Sequence, residues 1–295
     1  MTARRSEQVL PCATVSVVEW VPRQETGVPV VLLHGGGADS AELSWGGIGP
    51  RLADAGHRVI APDHPGFGRS PRAARPLTQE GLVRYVGELV DALDLETYAV
   101  GGLSLGGGMT LGHLLDRPGS ARAAMLLGCY GLMPRLAEGI RGAAVHFATY
   151  VLLRTGALSA MTRRYARDPR LMERGLSDLV RDPDARTPEL VAAVLAEASE
   201  GTGLEVFGEW QREQVRWNRL RTVYTERLPS IRTPTLFIHG DRDTGVPLAR
   251  IKAAARLLPG AQLVIAPGAG HWVQRDREDV VVAAMLHHLG RLDRA

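Results

Sequence analysis

Cysteine is scarce in this sequence: Cys12 and Cys129 are the only two among 295 residues. They lack the close spacing of metal ligands, and one such pair does not call for an oxidising compartment. Cys129 follows an apolar run and reads as a core residue. A strong charge of one sign is also missing. The 35 Lys and Arg against 32 Asp and Glu leave a formal net charge of +3. Arginine-rich spots such as Thr162–Arg167 lack the basic–aromatic interleaving of a nucleic-acid surface and read as solvated helix faces. No nucleic-acid partner is expected.

Long apolar runs are absent too. No segment reaches the roughly 18 uninterrupted apolar residues of a membrane span. The basic N-terminal stretch has no apolar core of a signal peptide. A cytoplasmic location without a membrane partner is the expectation. Internal repeats and low-complexity tracts are not seen. What is present is an ordinary globular composition, 45% hydrophobic and 23% charged. At this length about 75% of the unfolded surface can be buried, so a large core is available.

Short apolar, β-branched runs recur, each stopped by Gly, Pro or Asp: Pro29–Gly35, His57–Asp63, Thr97–Gly102, Arg122–Gly128, Thr233–Gly240 and Ala261–Gly268. They are continuous rather than alternating, as in strands buried on both faces. Helical periodicity fills Leu77–Leu95, Pro247–Leu258 and Arg277–Leu292. Strands alternating with helices predict an α/β fold with a mostly parallel sheet. The alternating run Ala13–Trp20 predicts an antiparallel edge strand. From Cys129 to Leu228 the rhythm stops, and no convincing strand is found. That stretch is too long for a loop. It reads as a helical cap, or lid, inserted into a core made of residues 1–128 and 229–295.

The segment "GLSLG" (Gly102–Gly106) fits G-x-S-x-G, with a buried strand before it and a helical run after it. In that context Ser104 sits on a sharp, strained turn, and small residues two before and two after relieve the crowding. A serine hydroxyl needs a base to become a nucleophile. "PGAGHWVQ" supplies His271 just past the last predicted strand, and "HGDRDTGVP" offers Asp241 and Asp243 past the strand before it. The order Ser, Asp, His is that of a hydrolase elbow. An oxyanion needs two donors. The backbone N–H of Leu105 is one, and the glycine-rich loop "LLHGGGADS" (Leu32–Ser40) is the place for the other. No full G-x-G-x-x-G follows that loop, which argues against a dinucleotide cofactor.

These residues resemble the α/β-hydrolase superfamily, in its cap-bearing serine hydrolase branch. The resemblance rests on "HGGG", "DHPGFGRS", "GLSLGG", "GDRDTGVP" and "GHW", in this order. It implies an eight-stranded sheet flanked by helices. It also implies Ser104 as nucleophile, His271 as base, Asp243 rather than Asp241 as acid, and the N–H groups of Gly36 and Leu105 as oxyanion donors. His34 is expected to tie the oxyanion loop rather than to move protons. Gly37 and Trp272 are candidates for the substrate pocket, with core packing an equal account of Trp272.

A serine at the elbow argues against relatives whose covalent nucleophile is aspartate. "HGGG" and "GHW" are similar to carbon–carbon bond hydrolases of aromatic ring cleavage. Those enzymes carry Asn before the serine, where this chain has Leu103. They also present a cap arginine to a substrate carboxylate, and Thr187–Gly203 contains none. Arg154, Arg163 and Arg216 are the substitutes elsewhere in the insertion. The expected reaction is hydrolysis of a small or medium carboxylic ester, lactone or related carbonyl compound through an acyl-enzyme, with no metal and no organic cofactor. The alternatives are carbon–carbon hydrolysis of a vinylogous diketone and a non-catalytic ligand-binding role. The expected partner is a small-molecule substrate, and a homodimer is compatible with the sequence.

Overall fold

The computed structural model describes residues 1–76, 78–137 and 139–292. Leu77, where a helix is predicted to begin, and the last three residues of the predicted core lie outside the described residues. One sheet of eight strands organises the chain: β1 (Thr2–Val9), β2 (Thr14–Val21), β3 (Val30–Leu33), β4 (Val59–Pro62), β5 (Ala99–Leu103), β6 (Ala123–Leu127), β7 (Thr235–Gly240) and β8 (Gln262–Ala266). Their spatial order is β1-β2-β4-β3-β5-β6-β7-β8. From β4 to β8 every neighbouring pair is parallel, and β1 and β2 are antiparallel.

The continuous apolar runs are explained by burial on both faces. Val31, Leu33, Val100, Leu126 and Phe237 point to one side of the sheet, and Val30, Leu32, Leu103, Met125 and Ile238 to the other. On the first side lie α3 (Gln79–Ala92), α4 (Leu105–Asp116) and α10 (Leu248–Leu257), through Tyr85, Leu89, Leu111 and Ile251. On the second lie α1 (Ala41–Trp45), α2 (Ile48–Asp54), α11 (Val273–Asp276) and α12 (Glu278–Leu289), through Trp45, Leu52, Val282 and Met285. Each fully buried side chain of this kind contributes about 1.5–3 kcal/mol. Thr78 fixes the start of α3 by accepting the N–H of Gly81 at 3.1 Å.

Two strand expectations need correction. The run at Ala13–Trp20 is not the sheet edge, because β1 pairs outside it over eight residues, from Thr2↔Val21 to Val9↔Thr14. β1 is polar on both faces and has no periodicity to betray it. Its backbone ladder and the Arg5–Asp63 ion pair at 2.8 Å hold it. The run Thr97–Gly102 does not mark the end of its strand either; β5 runs on to Leu103. A Cβ at Gly101 would lie 2.9 Å from the carbonyl oxygen of Met125 on the next strand, which accounts for the glycine.

Between β6 and β7 the chain forms α5 (Gly139–Thr155), α6 (Ala157–Ala166), α7 (Pro169–Leu179), α8 (Pro188–Glu200) and α9 (Gly203–Gln214). Polar contacts tie these helices to the sheet layer. Thr202 donates to the carbonyl of Gly66 at 2.6 Å, and Glu197 accepts the N–H of Gly68 at 3.1 Å. Asp276 accepts the N–H groups of Arg181 and Asp182. Among the described residues no helix is long and apolar enough to cross a membrane.

Candidate active site

In chain order, β3 is followed by β4 on one side of it and by β5 on the other. The crevice at the carboxyl ends of β3 and β5 is therefore the switch point of the sheet, where open α/β sheets bind ligands. The loop after β3 and the turn after β5 meet there, and these are the two segments singled out by the glycine pattern.

Ser104 occupies that turn with φ 52° and ψ −110°. A side-chain-bearing residue in this region stores about 1–3 kcal/mol of strain, sustained only when neighbours over-determine it. They do so here. The Ser104 N–H donates to the carbonyl of Leu127 at 2.8 Å, and its carbonyl accepts from Gly108 and Tyr130, both at 3.0 Å. The flanking glycines are steric necessities. A Cβ on Gly102 would sit 2.3 Å from the Gly106 backbone, and one on Gly106 would sit 2.2 Å from the carbonyl oxygen of Leu33. Leu105 opens α4, so its N–H has no acceptor inside the helix and points with the positive end of the helix dipole.

His271, on the loop after β8, donates from Nδ1 to Oδ2 of Asp243 at 2.8 Å. The other oxygen of Asp243 accepts the N–H groups of Gly245 at 2.7 Å and Val246 at 3.0 Å. Burial pushes this carboxyl upward, but the His271 hydrogen bond, the nearby imidazoles and the Val246 N–H outweigh it and hold it below the usual carboxylate range. Asp241 does something else. It accepts the N–H of Gly268 at 2.7 Å, tying the loop after β7 to the loop after β8. Two residues not singled out from the sequence complete this corner. His239 is buried, donates from Nε2 to the carbonyl of Val246 at 3.0 Å and lies 3.6 Å from Asp243. Burial lowers its pKa, so it stays neutral. Gly128, at φ 47°, passes so close that a Cβ there would lie 3.1 Å from the His271 ring.

The loop after β3 is held by His34. Its Nδ1 donates to the carbonyl of Gly35 at 2.7 Å, its Nε2 accepts the N–H of His64 at 2.9 Å, and its carbonyl accepts from His64 Nε2 at 3.1 Å. The two rings stack with centroids 3.8 Å apart. Burial pushes His34 down to about 3, so it is neutral and unable to act as an acid near neutral pH. Buried Asp39 fixes the other flank by accepting the N–H of Gly35 at 2.7 Å and that of Ser40 at 2.8 Å. Among the described residues the N–H of Gly36 makes no hydrogen bond within the protein.

Ser104, Leu105 and His271 line one cavity of about 120 Å³, walled by Tyr130, Met133, Leu136, Phe207, Trp210, Leu220 and Val246. Gln211 and Gln214 are its other polar groups, and Gln214 is already engaged by the hydroxyl of Tyr130 at 2.9 Å. Among the described residues no Arg, Lys, Asp or Glu lines it. The three arginines named from the sequence lie elsewhere. Arg154 packs over Tyr150, Arg216 faces Glu213, and Arg163 lines a neighbouring cleft of about 720 Å³ with Arg167 and Arg212. Gly37 is on the wall of that neighbouring cleft, not of the Ser104 cavity. Trp272 is 4% exposed and packs in the core with the residues of α12; it lines neither cavity. No group of three or more His, Cys, Asp or Glu among the described residues is arranged to hold a metal ion.

Residues 28–278 match the profile of the alpha/beta hydrolase fold family. The 2-hydroxy-6-oxo-6-phenylhexa-2,4-dienoate hydrolase of Burkholderia cepacia is 30% identical over 267 residues, covering 86% of this chain and 84% of its own. The 2-hydroxymuconate semialdehyde hydrolase of Pseudomonas putida is 26% identical over 273 residues, covering 92% and 90%. Among solved structures, a thermophilic esterase from Thermogutta terrifontis is similar with a TM-score of 0.75 at 21% identity, over 98% of this chain and 99% of that one. That last likeness is one of fold.

Proposed function

Since the chain belongs to the alpha/beta hydrolase family, we propose that it is a serine hydrolase of uncharged carboxylic esters or lactones with an apolar acyl part. The observation that carries this reading is the Ser104 cavity. A strained serine and the His271–Asp243 pair face one small space that is apolar apart from two glutamines and holds no fixed charge. In this reading Ser104 Oγ attacks the carbonyl carbon while His271 Nε2 takes its proton. Asp243 holds the other ring nitrogen and offsets the charge of the imidazolium. The N–H groups of Gly36 and Leu105 receive the oxyanion. His271 then returns the proton to the departing alcohol, and water releases the acyl group by the same steps. The insertion acts as a cap through α9, whose Phe207 and Trp210 wall the cavity together with Leu136 from the segment before α5.

A fluorophosphonate probe with mass mapping tests it. Labelling at Ser104 in the wild type, lost in His271→Ala, is the expected result. A folded wild type that takes no label overturns the reading.

A second reading is carbon–carbon hydrolysis, and the relatives favour it. The compound named for the Burkholderia cepacia enzyme carries a ketone and a carboxylate with no ester link between them. Its hydrolysis must therefore break a carbon–carbon bond next to the ketone. A site for it needs a cation for the carboxylate. Here Arg163, Arg167 and Arg212 lie in the neighbouring cleft rather than beside Ser104. Turnover of that dienoate, followed by loss of its conjugated absorbance, against turnover of p-nitrophenyl butanoate, separates the two. A kcat/KM for the dienoate above that for the ester would select the second reading.

A further inference from the structure

Three cavities converge on one side chain. The Ser104 cavity of about 120 Å³, the arginine-bearing cleft of about 720 Å³ and a side cavity of about 220 Å³, part apolar and part lined by Arg72, Arg75 and Glu209, are all lined by Phe207. Among the described residues no other side chain lines all three. The Ser104 cavity alone falls below the 300–1,000 Å³ usual for a ligand pocket. A substrate larger than a short acyl ester finds further lined volume past Phe207.

The ring is packed from two directions. It lies against the loop after β3, so close that a Cβ on Gly36 would be 2.3 Å from it. On the other side it stacks on Trp210, with centroids 5.4 Å apart and planes 13° apart. Trp210 is itself held, donating from Nε1 to Gln79 at 3.0 Å and meeting Tyr130 edge-on. Phe207 thus sits between the loop after β3 and Trp210 of its own helix, α9.

We propose that Phe207 is the partition that sets the acyl-length limit of this enzyme. With the phenyl ring in place, acyl chains end at the wall of the Ser104 cavity. Shortening the side chain joins that cavity to its neighbours and admits medium-length chains, which gain apolar contact with Phe67, Leu82 and Val206 in the side cavity. This inference rests on the serine hydrolase reading above.

The test measures kcat/KM for p-nitrophenyl acetate, butanoate and octanoate, and labelling rates with fluorophosphonates of matching alkyl length. In the wild type the short members react fastest. Phe207→Ala is expected to raise the octanoate-to-acetate ratio at least about tenfold, the scale on which pocket size discriminates alkyl groups. Phe207→Leu keeps an apolar contact on Trp210 and gives a smaller rise; it carries the test if the alanine variant does not fold. Phe207→Trp moves the ratio down. A ratio within about twofold of wild type in every folded variant overturns the proposal, as does a uniform change across all chain lengths. The two readings fail separately. A wild type unlabelled even by the shortest probe sinks the serine hydrolase assignment and this inference with it. A wild type labelled at Ser104 whose length profile ignores Phe207 sinks the partition alone.

Discussion

Asp243 and His271 are joined by a 2.8 Å hydrogen bond, whereas Asp241, two residues earlier in the same loop, has its carboxylate turned to the N–H of Gly268. The two aspartates are alike in sequence and differ in partner. Asp243→Asn is expected to lower kcat by about four orders of magnitude, because an amide facing Nδ1 favours the wrong tautomer. Asp241→Asn should leave kcat within about threefold of wild type, since its carboxylate accepts a backbone N–H, that of Gly268, and not His271 Nδ1. Steady-state kinetics on p-nitrophenyl butanoate decide this, and the reverse pattern would reassign the acid.

The backbone of Ser104 makes a prediction about stability. At φ 52° and ψ −110° a Cβ is strained, and a residue without one is not. Ser104→Gly is therefore expected to be more stable than Ser104→Ala by about 1–2 kcal/mol, with both variants inactive. Urea denaturation of the pair measures it. Equal stability would mean that the turn stores no strain.

Gly128 predicts the opposite trade. Its φ is 47°, and a Cβ would meet the His271 ring at 3.1 Å and Asp243 at 3.4 Å. Gly128→Ala is expected to lower kcat at least about a hundredfold by displacing His271, with a stability loss of about 1–2 kcal/mol. A crystal structure of the variant should find His271 moved away from Asp243. An unmoved ring with full activity would show that the corner can absorb a methyl group.

What was legible in the sequence was whatever burial writes into it. β3 to β7 are buried on both faces, so their residues had to be continuously apolar, and the turns at their ends had to carry the glycines and aspartates that drew attention. β1 was illegible because none of its eight residues is fully buried and the strand is held by backbone pairing and by the arginines on Glu19 and Asp63. The insertion was legible only as helices. α5 carries no apolar stripe of normal period, and it leaves Ile140, Val145, Phe147 and Val151 exposed. Phe207, on α9, and Tyr130, in the loop after β6, reach the cavity from separate segments and carry no local signal. For Trp272 the sequence leaves pocket wall and core packing level, and the start of α11 turns the indole into the core.

Asp39 makes the last prediction, on pH. It is fully buried against the oxyanion loop, and burial raises its carboxyl from 3.8 to about 6, against the opposing pull of Ser44, the Gly35 and Ser40 N–H groups and Arg275. Between those two values the folded protein holds a proton that the unfolded chain has released. By linkage the folded state then loses stability as pH rises. The contribution is complete below pH 3.8 and gone above about 6, and a shift of this size amounts to about 3 kcal/mol. His34 runs the other way in the same window. It is pushed down from 6.5 to about 3, so the unfolded chain binds a proton that the folded one refuses, and stability rises with pH. The wild-type curve therefore mixes two opposed slopes, and the Asp39 part is isolated by difference. Asp39→Asn does not titrate. Its stability relative to wild type is expected to increase by up to about 3 kcal/mol between pH 4 and 7, measured by urea denaturation at each pH. A difference that stays flat across that range would mean that Asp39 titrates normally and that the Gly35 loop is held by an ordinary carboxylate.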